Sequence, residues 1–183
     1  MTLKSENNPN GIIFLNNNDD EMWQKECQKL TPWIFGHGVD IGCGMRSIRE
    51  DIIRVDIDKN VHPDFCCSAD KLPIKDEDFD FVTSIHSLEH VDNQYETLKE
   101  WFRILKKGGI IGIVHPDVEY TKPQTSHVDD KNFNNNPYNH HFHENSLKSF
   151  LEQLKSWQSL SFRILDSGVA CPGWSFYVIL EKI

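Results

Sequence analysis

Three acidic residues stand where short apolar runs end, and their spacing carries the first chemical signal. Asp40 lies in Val39-Asp40-Ile41, which gives way to Gly42-Cys43-Gly44, a turn whose glycines let the backbone come close to a ligand. A plain tight turn is the competing reading. Asp56 ends the run Ile52-Ile53-Arg54-Val55-Asp56, and a carboxylate there offers two acceptor oxygens to a vicinal diol. Its neighbour Asp58 reads as a solvated turn residue. Asp70 follows Phe65-Cys66-Cys67, where an acid accepts from an exocyclic amine or simply caps a loop.

Histidines supply the second signal, nine in 183 residues. His86 and His90 flank the end of the run Phe79–Ile85, and His115 follows Ile110–Val114. A histidine at such a place serves as a base or holds an acceptor, and it also serves as an ordinary hydrogen-bonded structural residue. His140-His141-Phe142-His143 with Glu144 invites a metal reading, completed by Asp117, Asp129 or Asp130. Adjacent histidines in an Asn-rich stretch seldom point one way, so the expectation is a substrate-facing polar loop and no metal.

The elements that must hold these residues follow from periodicity. Asp19-Asp20 precede an apolar stripe at Met22, Trp23, Cys27 and Leu30 that stops at Pro32, which predicts a helix. Four short strands are expected at 39–41, 52–56, 65–67 and 79–85. Leu98, Trp101, Phe102 and Leu105 repeat at helical spacing, with Asp92 as the expected cap and Lys106-Lys107-Gly108 as the expected stop. Ile110–Val114 reads as a strand covered on both faces. Leu147, Phe150, Leu151 and Leu154 mark another helix, and strands at 162–165 and 176–180 form a terminal hairpin around Ser167-Gly168 and Cys171-Pro172-Gly173. Alternating strands and helices predict an α/β fold, a Rossmann-like mostly parallel sheet with helices on both faces and an antiparallel C-terminal strand pair. Residues 1–18 read as a loose arm, 19–183 as a single domain, and 117–145 as an insertion on the substrate side.

Composition narrows the classes. Lys plus Arg of 19 against Asp plus Glu of 28 gives −9, so polyphosphate is repelled and nucleic acid is not an expected partner. No apolar run approaches the roughly 20 residues of a membrane span. Five cysteines without a Cys-x-x-Cys pair suit a reducing compartment, and the expected location is the cytoplasm.

Taken in order, Val39-Asp40-Ile41-Gly42-Cys43-Gly44, Val55-Asp56, Ala69-Asp70 with Leu72-Pro73, Phe79-Asp80-Phe81-Val82, Leu88-Glu89-His90-Val91 and Leu105-Lys106-Lys107-Gly108-Gly109 resemble the class I S-adenosylmethionine-dependent methyltransferases. The resemblance covers roughly residues 37–116. It implies S-adenosyl-L-methionine as cofactor, with Asp40, Gly42 and Gly44 at its methionine end. Asp56 would hold the ribose hydroxyls and Asp70 the adenine amine, with Ile57, Ala69 and Lys71 beside them as further cofactor-binding residues. His86, in Ile85-His86-Ser87, would pass beside the sulfonium. The third glycine of a dinucleotide fingerprint is replaced by Ser47, and only Met45–Asp51 separate Gly44 from the second strand, which argues against NAD because a pyrophosphate needs a helix N-terminus. A looser likeness to methyltransferases of glycan pathways rests on Pro116-Asp117-Val118-Glu119 and on His141 ahead of Leu147. The expectation is O-methylation of a small polar or carbohydrate acceptor with His86, His115 and His141 as candidate catalytic groups. The alternatives are N-methylation of a small amine and a catalytically silent cofactor-binding module.

Overall fold

The computed structural model describes residues 20–120 and 143–183. Helix α1 (Asp20–Leu30) turns Trp23, Cys27 and Leu30 inward at helical spacing, and Thr31 Oγ1 donates to Cys27 O at 2.8 Å where a single 3₁₀ turn with Pro32 ends it. Strands β1 (Gly38–Ile41), β2 (Ile53–Asp56), β3 (Phe65–Cys66) and β4 (Phe79–Ile85) follow. Next come α2 (Gln94–Ile104), β5 (Leu105–Pro116), α3 (Leu147–Ser156), β6 (Phe162–Cys171) and β7 (Ser175–Lys182).

The strands form one seven-stranded sheet in the order β3-β2-β1-β4-β5-β7-β6. Pairings from β3 to β5 are parallel, and β7 runs antiparallel to both β5 and β6. The chain builds β2 and β3 to one side of β1 and β4 to the other, so the order reverses between β1 and β4. Ligands of open α/β sheets sit beyond the strand ends at such a reversal.

Residue alternation along the strands makes two cores. Val39, Val82, Ile111, Ile113 and Val178 meet Leu98 and Trp101 of α2 and Phe150 and Leu154 of α3. On the opposite face Phe81, Val114 and Ile179 meet Trp23, Cys27 and Leu30 of α1. Each such fully buried side chain contributes about 1.5–3 kcal/mol.

Several local expectations change. No helix links β1 to β2; residues 42–52 are turns, and the buried Ile48 and Ile52 fill the layer beside α1. The cap of α2 is Asn93 rather than Asp92, its Oδ1 accepting from the amides of Tyr95 and Glu96. Lys106-Lys107-Gly108 do not close that helix. The chain leaves it after Ile104, Leu105 pairs with Phe79, and the following residues form an irregularity before Ile110 pairs with Phe81. An ion pair from Lys106 to Asp80 at 2.7 Å holds that bulge. Ser167-Gly168 lie within β6, and the hairpin turns at Pro172–Trp174, where Gly173 has φ +75°. The expected arm at 1–18, and His140 and His141, lie outside the described residues.

Candidate active site

Beyond the carboxyl ends of β1, β2, β3 and β4 lies a cleft of about 440 Å³, walled by Gly42, Gly44, Asp56, Ile57, Ala69, Asp70 and His86 among others. Seven of the expected cofactor residues therefore share one space. Two are not on its wall: Asp40, which is buried, and Lys71, which is exposed.

The Gly42-Cys43-Gly44 turn is held by β2. Gly42 N and Cys43 N both donate to Val55 O, at 2.9 and 3.1 Å, and Gly44 N donates to Asp56 Oδ2 at 2.8 Å. Arg54 Nη2 donates to Gly44 O at 2.6 Å, closing the turn from the far side. Gly42 has φ +72°, and a Cβ there would lie 2.0 Å from Ser87 Oγ, so the close approach of β4's exit requires glycine. All three amides of the turn are thus occupied within the protein.

Asp56 is fastened at both oxygens, with Oδ1 accepting from Asp58 N at 2.9 Å. Each oxygen keeps a further lone pair for a diol. Asp58, as its turn reading implies, caps the single turn Lys59–Val61 by accepting from Asn60 N at 2.9 Å. The Ala69–Asp70 turn is anchored from below, where Trp101 Nε1 of α2 donates to Ala69 O at 3.0 Å, and Ser68 Oγ donates to Asp70.

Among the described residues four carboxylates, Asp56, Asp58, Asp70 and Asp92, line the cleft, and no lysine or arginine does. A pyrophosphate would meet repulsion there, and the three amides of the glycine turn are already bonded. An adenosyl sulfonium carries no phosphate, and its diol and amine match the acceptors at Asp56 and Asp70, so the residues present fit S-adenosylmethionine.

Asp40 Oδ1 accepts from Thr83 Oγ1 at 2.7 Å, and burial raises its pKa to about 6. Burial likewise pushes the Cys43 thiol up to about 12, which removes it as a nucleophile at neutral pH.

The histidines depart from expectation. His86 stands at the end of β4 with φ +53°, a left-handed backbone that a non-glycine residue adopts at local cost. Its Nε2 lies 2.7 Å from Glu26 Oε1 and its Nδ1 lies 3.7 Å from Glu89 Oε1. Burial opposes a charged ring, but the two carboxylates outweigh it and hold the pKa well above the histidine range. Both nitrogens then carry protons, and the ring is no base at neutral pH. His115 is fully enclosed, stacked between Phe150 and Phe176, and does not line the cleft. Its Nδ1 donates to Pro116 O at 2.8 Å, and burial lowers its pKa. Neither ring can receive a proton from an acceptor. The other histidine on the cleft wall among the described residues is His90, whose Nε2 lies 3.7 Å from Glu89 Oε1.

Glu26, Ser175 and Trp101 were not singled out for the site. Ser175 Oγ donates to Glu26 Oε1 at 2.6 Å, so α1 and β7 both reach His86. One signal for Glu26 was present: it sits three residues after Trp23 and next to Cys27, an acid on an otherwise apolar helix face.

Residues 37–113 match the family model of a methyltransferase domain. Over 73 residues the chain is 40% identical to a ubiquinone/menaquinone biosynthesis C-methyltransferase of Xylella fastidiosa, spanning 38% of this chain and 28% of that one. Over 111 residues it is 35% identical to an uncharacterized protein of Methanocaldococcus jannaschii, spanning 56% of this chain and 50% of that one. The chain therefore spans half or less of these curated relatives. Among solved structures, a SAM-dependent methyltransferase of Thermotoga maritima superposes with TM-score 0.64 at 21% identity, covering 87% of this chain and 88% of that one. One from Mesorhizobium loti gives TM-score 0.65 at 14% identity, covering 88% and 98%. At such identities the structures establish the fold alone. The sequence match falls on the residues that build the cleft, and over that segment the chain is similar to S-adenosylmethionine-dependent methyltransferase domains.

Proposed function

We propose that the chain transfers a methyl group from S-adenosyl-L-methionine to a hydroxyl of a small polar or carbohydrate acceptor. The observation that carries the cofactor half is the cleft itself, which sets four carboxylates and, among the described residues, no lysine or arginine around a glycine turn whose amides are already used. In this reading Asp56 accepts from the ribose hydroxyls, Ile57 covers the adenine, and Asp70 accepts from its amine while Ala69 is held in register by Trp101. Gly42 and Gly44 leave room for the methionine end. Asp40 supports that turn through its bond from Thr83, and Lys71 follows Asp70 without lining the cleft. Bound cofactor supplies an electrophilic methyl on a sulfonium, and alignment of acceptor and methyl is the protein's main contribution.

For the acceptor, support comes from the wall beyond His86. The Trp174 ring meets His86 edge-on at 6.1 Å between centroids, beside the Pro172-Gly173 turn, and an aromatic face next to polar groups suits a sugar. A hydroxyl must lose its proton to be methylated, and a positioned base contributes roughly 10²–10⁴-fold. Of the expected catalytic groups, His86 acts as a fixed wall and His115 only through its neighbours. The base falls to His90, which lines the cleft, or to His141.

Calorimetry with S-adenosylhomocysteine and with NAD tests the cofactor assignment. The first is expected to bind, NAD is not, and Asp56→Ala weakens binding by about 10- to 100-fold, the worth of hydrogen bonds to a charged group. Release of S-adenosylhomocysteine with a panel of sugars, hydroxy acids and amines tests the acceptor. Turnover confined to amines overturns the hydroxyl assignment, and NAD binding overturns the cofactor.

A further inference from the structure

Glu26 lies outside the residues that match the methyltransferase family and does not line the cleft, yet it touches a group that does. It is 3% exposed on α1, and its Oε1 receives Ser175 Oγ from β7 at 2.6 Å and meets His86 Nε2 at 2.7 Å. From the turn after β4, Glu89, 1% exposed, approaches the other ring nitrogen, and its Oε2 has no partner among the described residues. The ring is thus gripped from opposite sides, by elements from both ends of the chain, on a residue with φ +53°.

We propose that Glu26 is a positioning residue for methyl transfer: with Glu89 it holds the His86 ring doubly protonated and fixed in orientation, so that His86 forms a rigid, charged wall at the methyl end of the cleft. The proposal rests on the reading of the cleft as a methyl-transfer site and adds to it an anchor from α1.

The physical argument is one of compensation. Two buried carboxylates without a cation between them cost several kcal/mol of solvation each, so neither stays ionised and buried unless the ring between them is charged. A neutral imidazole offers one N–H and satisfies one carboxylate only. Loss of the ring proton therefore releases one contact, and the His86 side chain, already at the cleft wall, turns. The titratable groups acting on this ring are Glu26 on α1, Glu89 on the turn after β4 and His115 on β5; His90 in turn meets Glu89, and His143 ahead of α3 acts on His115.

The test follows the ring itself. With ¹⁵N-labelled full chain, and His86→Gln to assign the signal, His86 in the unaltered protein is expected to stay doubly protonated from about pH 6 to 8, where an ordinary histidine titrates. In Glu26→Gln it is expected to titrate inside that range, with Glu26→Asp restoring the original behaviour and Ser175→Ala giving a smaller shift. Calorimetry with S-adenosylhomocysteine supplies the functional readout. The affinity of Glu26→Gln relative to the unaltered protein is expected to fall by about tenfold between those pH values. His86 titrating as an ordinary histidine in the unaltered protein overturns the proposal, even if Glu26→Gln fails to fold. So does a Glu26→Gln ring that stays protonated, or an affinity ratio that is flat with pH. If S-adenosylhomocysteine binds no form of the protein, the cofactor reading fails, and the ring titration still judges the anchor.

Discussion

Asp40 offers the clearest quantitative test of how the cleft is supported. Its carboxyl is 2% exposed, and burial raises its pKa from 3.8 to about 6, against the pull of the Thr83 hydroxyl and the Arg54 charge. A folded pKa above the unfolded one means that the native state holds this proton more tightly. The associated stability is full below the unfolded value and is lost as pH rises through the folded value. At about 1.4 kcal/mol per pH unit, ionising Asp40 in place removes about 3 kcal/mol by neutral pH. Asp40→Asn keeps an acceptor for Thr83 and abolishes the titration. Urea unfolding of both proteins from about pH 4 to 8 reads the difference, since the midpoint shift at constant slope is a stability change. The stability of Asp40→Asn relative to the unaltered protein is expected to improve by about 3 kcal/mol across that range, whatever its offset at acid pH. A difference that is constant with pH, or that moves the other way, refutes the account of Asp40 as a buried acid carried at a cost.

Three further outcomes follow. Gly42→Ala places a Cβ 2.0 Å from Ser87 Oγ at φ +72°, so it should lose about 1–2 kcal/mol from backbone strain alone, and more from displacement of Ser87, in the same unfolding assay. Trp101→Phe removes the donor to Ala69 O while filling most of the core; S-adenosylhomocysteine affinity measured by calorimetry should fall roughly fivefold, the worth of about 1 kcal/mol, with thermal unfolding still cooperative. Burial depresses the His115 pKa, so its contribution is present above the ordinary histidine value of about 6.5 and lost as pH falls through the folded one. Relative to the unaltered protein, His115→Phe should therefore gain stability on acidification in a pH series of denaturant melts.

Much of the cleft was legible because its chemistry is written locally. Asp56 and Asp70 each end or follow a short strand, and Gly42 and Gly44 sit in a turn where Gly42 leaves no room for a side chain, so order along the chain already places them at neighbouring strand tips. His115 was also readable in principle. Ile111, Ile113 and His115 alternate along one strand, which puts the histidine on the face that α2 and α3 cover, away from any acceptor. What was not legible depends on tertiary contacts. Lys106-Lys107-Gly108 has the composition of a helix end, yet pairing of Leu105 with Phe79 draws the segment into β5. The hairpin residues Ser167-Gly168 look like a turn, but the register with Val178 and Tyr177 carries them through as strand. The grip on His86 joins residues 26, 86, 89 and 175, and no local pattern announces a contact spanning 149 positions.

The absence of a helix between β1 and β2 reshapes how that side of the molecule is insulated. Ile48 and Ile52 occupy the space a helix would take, leaning on Trp23 and Cys27 of α1 and on Phe81. A segment upstream of the matched residues thereby covers the link between the glycine turn and β2. Loosening α1 would bare that link and withdraw the Glu26 carboxylate from His86 together, so docking of the first helix and the setting of this histidine are coupled.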